Sequence, residues 1–164
     1  MFKGIKIKLF PTKEQEILLW KSSGVARFSY NWAKRFFDTY YKIFKKSVSC
    51  GDMRKHFTKL RKKYSWLCEV SSEIPQQAIK DYDIARTNFF KNICGYPRLK
   101  SKKKSTPSFF HNNNKFVVGD DFVQLEKIGK VKMSDEGRLP KGNYKKDKIK
   151  VTNPRIKFNG RYWY

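Results

Sequence analysis

Gly4-Ile5-Lys6-Ile7-Lys8-Leu9-Phe10-Pro11-Thr12-Lys13-Glu14-Gln15 is the stretch that decides the fold. From Phe2 to Phe10 the residues alternate: Ile5, Ile7 and Leu9 share one face, Lys6 and Lys8 the other. That is the pattern of a half-buried strand with a basic outer face. Pro11 stops it. Thr12 is a good N-cap, and Gln15 three residues on completes a capping box, so a helix starts at once. A lone strand is not stable. This one must therefore pair with strands near the far end of the chain, and whatever lies between is an insertion.

Working outward, the first helix is expected to run through Trp20 and end near Gly24. A longer one should follow from about Val25 to Phe44, with Val25, Phe28, Trp32, Phe36 and Tyr40 as its apolar stripe. Ser49 with Asp52 forms a second capping box. It opens a helix whose face is Met53, Phe57 and Leu60 and whose end, Lys59-Leu60-Arg61-Lys62-Lys63, is strongly basic. Cations at a helix C-terminus suit the macrodipole, which gives part of that run a structural purpose. A fourth helix is expected over Glu73–Ile93, with Pro75 in its first turn and Gly95-Tyr96-Pro97 after its end.

The character then changes. Lys100–Pro107 reads as a basic, flexible loop. Short strand-like runs follow at Ser108–Phe110, Phe116–Val118, Phe122–Leu125, Lys130–Met133, Lys148–Thr152 and Arg155–Tyr164, separated by Asn- and Gly-rich turn signals. The last five residues, Gly160-Arg161-Tyr162-Trp163-Tyr164, read as a strand cut in mid-course, as if the chain were the front half of something larger. The expected fold is α+β: a small, split antiparallel β-barrel with a four-helix lobe inserted after its first strand. The corresponding segments are 1–10 (first barrel strand), 11–95 (helical lobe, with a helix-turn-helix-like pair around Gly24) and 96–164 (the rest of the barrel).

The chain of 164 residues carries a formal charge of +24. Residues 1–95 and 96–164 each contribute +12, so the charge forms no tail. With 16% aromatic residues the chain is far from the composition of a disordered basic arm. A surface this basic calls for a polyanion, nucleic acid first. No apolar run approaches the ~20 residues that span a bilayer, so a soluble, cytoplasmic, nucleoid-associated protein is expected. Cys50, Cys68 and Cys94 show no metal-ligand spacing and read as reduced thiols.

No catalytic set emerges. His56 and His111 have no evident Cys or carboxylate partner. Asp81 and Asp83 are two apart on a helix and do not face each other. Asp120-Asp121 sits beside Gly119, where a turn uses Asp for its own backbone bonds. Neither a metal nor a cofactor is expected. Aromatics interleaved with cations suit single strands and RNA–DNA hybrids, although the aromatics of the helix stripes read as core.

Several segments together resemble the TnpB (OrfB) proteins of insertion sequences, RNA-guided nucleases related to type V CRISPR effectors. They are Leu9–Gln15, Ala26–Ala33, Trp66–Val70, Gln76–Ala78, Asn88–Lys91, Gly95–Lys100, Val123–Val131 and Gly160–Tyr164, in family order across nearly the whole chain. The resemblance implies a split "wedge" barrel interrupted by a helical recognition lobe. It implies guide RNA and double-stranded target DNA as partners, with a separate RuvC-containing chain as one further arrangement. The family's RuvC nuclease and zinc ribbon would begin just after the terminal strand, so catalysis is not implied for these residues. The resemblance also implies that Gln76 and the Asn-rich loop at Asn112 read a short target-adjacent motif. An amide side chain can bond adenine bidentately. The cations expected to meet the phosphate backbone are Arg27, Arg35, Lys62, Lys63, Arg98, Lys100, Lys102, Lys103 and Lys104. Two other classes remain open: a stand-alone helix-turn-helix regulator of DNA, and a basic structural RNA-binding protein.

Overall fold

The first strand does find its partner at the far end of the chain. In the computed structural model, which describes residues 4–134, 138–139, 142–143 and 151–164, strand β1 (Lys8–Phe10) pairs antiparallel with β5 (Gly129–Ser134), Leu9 opposite Met133. Ile7 and Leu9 are buried and Phe10 is exposed, as the alternation requires. The chain divides into two compact units, residues 1–23 with 106–164, and residues 24–105.

In the first unit, β3 (Val117–Val118), β4 (Phe122–Leu125) and β6 (Gly142–Asn143) complete a five-stranded antiparallel sheet in the order β1-β5-β4-β3-β6. A second sheet pairs β2 (Ser108–Phe110) with β7 (Arg155–Lys157). The core between them holds Leu19, Phe109, Val123, Leu125, Val131, Ile156 and Trp163.

The expected barrel is not closed: among the described residues there are two open sheets. The reason lies in the tail. Arg155–Tyr164 is not one strand. Asn159-Gly160 makes a turn, with Gly160 at φ +96° and the Asn159 Oδ1 accepting from the N–H groups of Arg161 (3.0 Å) and Tyr162 (2.7 Å). The last residues fold back on β7, Tyr164 N–H donating to Lys157 O at 2.8 Å and Lys157 N–H to Tyr164 O at 2.9 Å. Trp163 then bridges Phe158 on one side and Leu9 on the other. One residue thus couples the edges of both sheets. Of the expected strand at Lys148–Thr152, residues 148–150 lie outside the described residues and Val151–Thr152 are not in a strand.

Among the described residues there are three α-helices, not four: α1 (Lys13–Phe44), α2 (Cys50–Lys63) and α3 (Glu73–Phe90). The break expected at Gly24 does not occur. An interior Gly costs about 1 kcal/mol relative to Ala, and the residues on both sides have packing that outweighs it: Leu19 is buried in the first unit, Val25 and Ala26 in the second. The first capping box forms in full and the second in its N-cap half. Thr12 N–H donates to Gln15 Oε1 (3.1 Å) and Gln15 N–H to Thr12 Oγ1 (3.2 Å); Asp52 N–H donates to Ser49 Oγ (3.1 Å).

Within residues 24–105 the core is Val25, Ala26, Tyr30, Ala33 and Phe37 of α1, Met53 and Phe57 of α2, and Ile74, Ala78, Ile79 and Tyr82 of α3. Tyr82 meets Tyr30 edge-on at 5.7 Å. Arg86 is buried there too, ion-paired to Asp83, 4.2 Å from the Phe37 ring centroid and bonded to Ser47 Oγ (3.0 Å).

Candidate nucleic-acid interface

The buried stripe of α1 is one position away from the expected one. The small residues Ala26, Ser29 and Ala33 are buried on this helix, and Tyr30 and Phe37 go in with them. Of the row expected as core, Val25 is buried, but Phe28 is 36% exposed and Trp32, Phe36 and Tyr40 are only half-buried. Phe28, Trp32 and Phe36, with Gly24, Arg27, Asn31, Arg35 and Thr39, line an open groove of about 460 Å³. The spacing is i, i+3, i+4, so one helix supplies the whole lining.

The rings of the groove contact one another and rings of neighbouring elements. Trp32 stacks on Phe36 at 4.9 Å and 19°, and meets Phe57 edge-on at 5.1 Å. Phe28 meets Trp66 edge-on at 5.1 Å, and Phe36 lies 5.0 Å from His56. Arg27 and Arg35 flank the row and have no acidic partner among the described residues.

Asn31 does structural work that its sequence position did not signal. Its Nδ2 donates to Lys100 O and its Oδ1 accepts from Lys100 N–H, both at 2.8 Å. This two-point clamp fixes the basic segment to α1. Lys100 Nζ lies 4.0 Å from the Tyr30 ring centroid. A second tether sits further along: Tyr96 O–H donates to Asp38, which also holds Lys34 at 2.6 Å. Burial and the Asp38 carboxylate push the Tyr96 hydroxyl up to about 12, so it stays a donor across the physiological range. Residues 101–105 are a turn and not a flexible loop: Lys104 N–H donates to Ser101 Oγ and Ser105 N–H to Ser101 O, each at 3.0 Å. Lys102, Lys103 and Lys104 are exposed on it, and Arg98 is exposed before it.

Lys62 and Lys63 are exposed at the end of α2. Arg61 in the same run is directed inward, Nε to Leu67 O and Nη2 to Val70 O, both at 3.1 Å. Gln76 is half-exposed in the first turns of α3, and its carbonyl accepts from Arg54 Nη2 at 3.2 Å. Its side chain has no hydrogen-bond partner among the described residues.

Asn112 lies in the other unit. Its Oδ1 accepts from Asn114 N–H at 2.9 Å and caps the short 3₁₀ turn Asn113–Lys115. Beneath it His111 is buried. The His111 Nε2 accepts from Glu126 N–H (2.8 Å), which leaves Nδ1–H to donate to Asn112 O (2.9 Å). Burial lowers the pKa of this imidazole. On the same unit the lysines of the first strand are occupied by the tail: Lys6 Nζ is 3.9 Å from the Tyr164 ring centroid and Lys8 Nζ 3.2 Å from that of Tyr162.

The structure thus places Arg27 and Arg35 on one groove and ties Lys100 to the same helix; Gln76 and Asn112 belong to different units. Among the described residues no three His, Cys, Asp or Glu side chains are grouped to hold a metal ion, and no helix is long and apolar enough to cross a membrane.

Residues 1–46 match a family described as a helix-turn-helix domain, of the OrfB IS605 kind. Among the described residues of that range the structure has one strand and one unbroken helix. The chain is 32% identical over 127 residues, 76% of its length, to a protein of Streptomyces pristinaespiralis named as a putative RNA-guided DNA endonuclease. It is 24% identical over 128 residues to a protein of Escherichia coli K12 named as the putative RNA-guided DNA endonuclease InsQ. The chain spans 32% of the length of each of these two relatives.

Proposed function

We propose, from the premise that this chain is of the TnpB/OrfB type, that it is a nucleic-acid-binding module that holds a guide RNA and target DNA beside a short adjacent motif, and does not itself cut. In this reading residues 11–95 are the recognition lobe, and residues 1–10 with 96–164 form the wedge. Arg27, Arg35, Lys62, Lys63, Arg98, Lys100 and Lys102–Lys104 take the phosphates. Gln76 and Asn112 face the adjacent motif. The module works in the cytoplasm, at the nucleoid.

One observation carries the reading. The Asn31 clamp pre-orders a run of exposed cations along a helix that already presents Arg27 and Arg35. Ordering lysines and arginines before a partner arrives removes part of the entropy cost of binding it. A cluster of exposed positive charges suits a polyanion.

Salt dependence tests it. Neutralising about six phosphates gives a slope of log K against log salt of roughly −4 to −5. Lys103→Ala should weaken binding to all sequences alike and lower the slope by about one. A slope near zero overturns the reading, and guide-programmed cleavage by the purified chain with Mg²⁺ overturns its non-cutting part. The match of residues 1–46 to a helix-turn-helix family favours a second reading, a stand-alone DNA regulator. That reading predicts tight, sequence-specific duplex binding without RNA.

A further inference from the structure

We propose that the groove along α1 takes unpaired ribonucleotides, their bases stacking on the row Phe28–Trp32–Phe36 and their phosphates meeting Arg27 and Arg35. The proposal deepens the nucleic-acid reading above and rests on it.

Four features of the groove converge on such a ligand. Large aromatic side chains are normally the first to be buried, yet Phe28 is 36% exposed and Trp32 and Phe36 only half-buried, while Ala26, Ser29 and Ala33 occupy the core side of the same helix. Trp32 also rests edge-on against the buried Phe57, and Phe28 and Phe36 contact Trp66 and His56, so less side-chain freedom is lost when a base lands on them. Cations stand on the same face without acidic partners among the described residues, and stacking platforms with guanidinium groups beside them are the usual means of holding unpaired strands. Finally, the groove begins at Gly24, where a Cβ would meet nothing within 4 Å. A glycine kept in a helix interior with open space over it leaves room for a ligand to come close to the backbone.

The chemistry selects an unpaired strand over a duplex, because paired bases are stacked on one another and offer no free face. It selects a nucleic acid over a protein through the pair of uncompensated arginines. At the far end of the groove, Thr39 brings an exposed hydroxyl with no bonded partner among the described residues. A hydroxyl there can bond the ribose 2′-OH, the group by which a protein tells RNA from DNA. The groove's 460 Å³ is within the size range of pockets that accept a small organic ligand.

The test uses the full chain and a short unstructured RNA of adenines and cytosines, the same sequence as single-stranded DNA, and an RNA duplex. Trp32→Leu should weaken the unstructured RNA by about 5- to 150-fold, the value of one base–aromatic stack, and the duplex far less. Trp32→Phe should restore most of the loss, and Thr39→Val should reduce the preference for RNA over DNA. RNA substituted with 4-thiouridine should crosslink to residues 28–36 of the wild-type chain, a result that does not depend on how the variants fold. Equal losses on both RNA forms, no loss on the unstructured one, or crosslinks only elsewhere overturn the groove assignment; equal wild-type affinity for the DNA strand overturns its ribose part. A wild-type chain that binds none of the three, or binds them without salt dependence, overturns the nucleic-acid reading itself.

Discussion

Trp163→Ala tests how the β unit is held together. Trp163 is 2% exposed. Its carbonyl accepts from Leu9 N–H at 2.8 Å, its ring meets Trp20 edge-on at 5.0 Å, and Phe158 lies at 5.2 Å. Truncating a buried Trp costs about 3–5 kcal/mol, and the lost ring pairs put this case toward the upper end. Against a total stability of about 5–15 kcal/mol, that is a large fraction. With a urea m-value of about 2 kcal/mol/M, the midpoint should fall by roughly 2 M. Trp163→Phe is a different matter. The indole N–H has no hydrogen-bond partner among the described residues, so removing it relieves a desolvation penalty of about 1–3 kcal/mol. That offsets much of the lost volume, and the net change should be under about 1.5 kcal/mol. Urea titration by far-UV circular dichroism reads both variants, and hydrogen exchange at Leu9 N–H reads the bridge. A loss under about 1 kcal/mol for Trp163→Ala, or equal losses for the two variants, would refute the idea that this residue couples the sheets.

Asn31→Ala removes both bonds to Lys100 and should cost about 1–2 kcal/mol, with faster tryptic cleavage at Lys100–Lys104 and weaker nucleic-acid binding; an unchanged digestion pattern would show that the clamp is not what orders the segment. His111 is held neutral by burial and by accepting from Glu126 N–H, so its folded pKa lies below the unfolded value of about 6.5. The stability it contributes is complete above that value and lost as pH falls through the lowered pKa, at up to about 1.4 kcal/mol per pH unit; His111→Gln should flatten that part of the profile, and an identical profile in the variant would remove the assignment. Gln76→Ala should cost about 1–3 kcal/mol at one base position of the adjacent motif, measured over randomised motifs; a uniform loss makes Gln76 no reader. Asn112→Ala should cost about 1 kcal/mol of stability whatever the DNA sequence, because its Oδ1 serves as a cap; full stability with lost motif preference would reverse that ordering of its roles.

The features visible in the sequence were those governed by local chemistry. Both helix caps are where Thr12/Gln15 and Ser49/Asp52 put them, the first as a full capping box and the second as an N-cap, because a cap is decided by residues three apart. The pairing of β1 with a late strand followed from the lack of any nearer partner. The tail was misread although its signal was present. Asn159-Gly160 is the strongest short hairpin signature, but the aromatics after it also fit a single long strand. The phase of α1 was harder. With Phe28, Tyr30, Trp32, Phe36, Phe37 and Tyr40 all on one helix, two stripes about 100° apart fit the same period. The buried side carries Ala26, Ser29 and Ala33, and a count of large hydrophobes does not weigh such small residues. The Asn31–Lys100 clamp spans 69 residues and leaves no local trace.

The two departures of α1 from expectation, its phase and its continuity through Gly24, bear together on function. Had α1 broken at Gly24, as a helix-turn-helix would require, Gly24 and Arg27 would sit at a helix end and Thr39 would lie on a separate element. A continuous helix instead carries Gly24, Phe28, Trp32, Phe36 and Thr39 along one face at roughly 1.5 Å per residue, over about 22 Å. Rotating the aromatics out of the core and keeping the helix unbroken are each unfavourable for stability alone. The first exposes apolar surface; the second places Gly in a helix interior. Together they produce a straight, apolar-floored, arginine-flanked groove that neither would produce separately. Local rules that fail in one place, in a way that creates a binding surface, are what a functional site is expected to look like in a sequence. The same logic gives Gly24→Ala opposite signs in two assays. It should raise stability by about 1 kcal/mol through helix propensity and weaken unpaired RNA by filling the open space. Gains in both, or a change in neither, would mean that Gly24 is incidental to the groove.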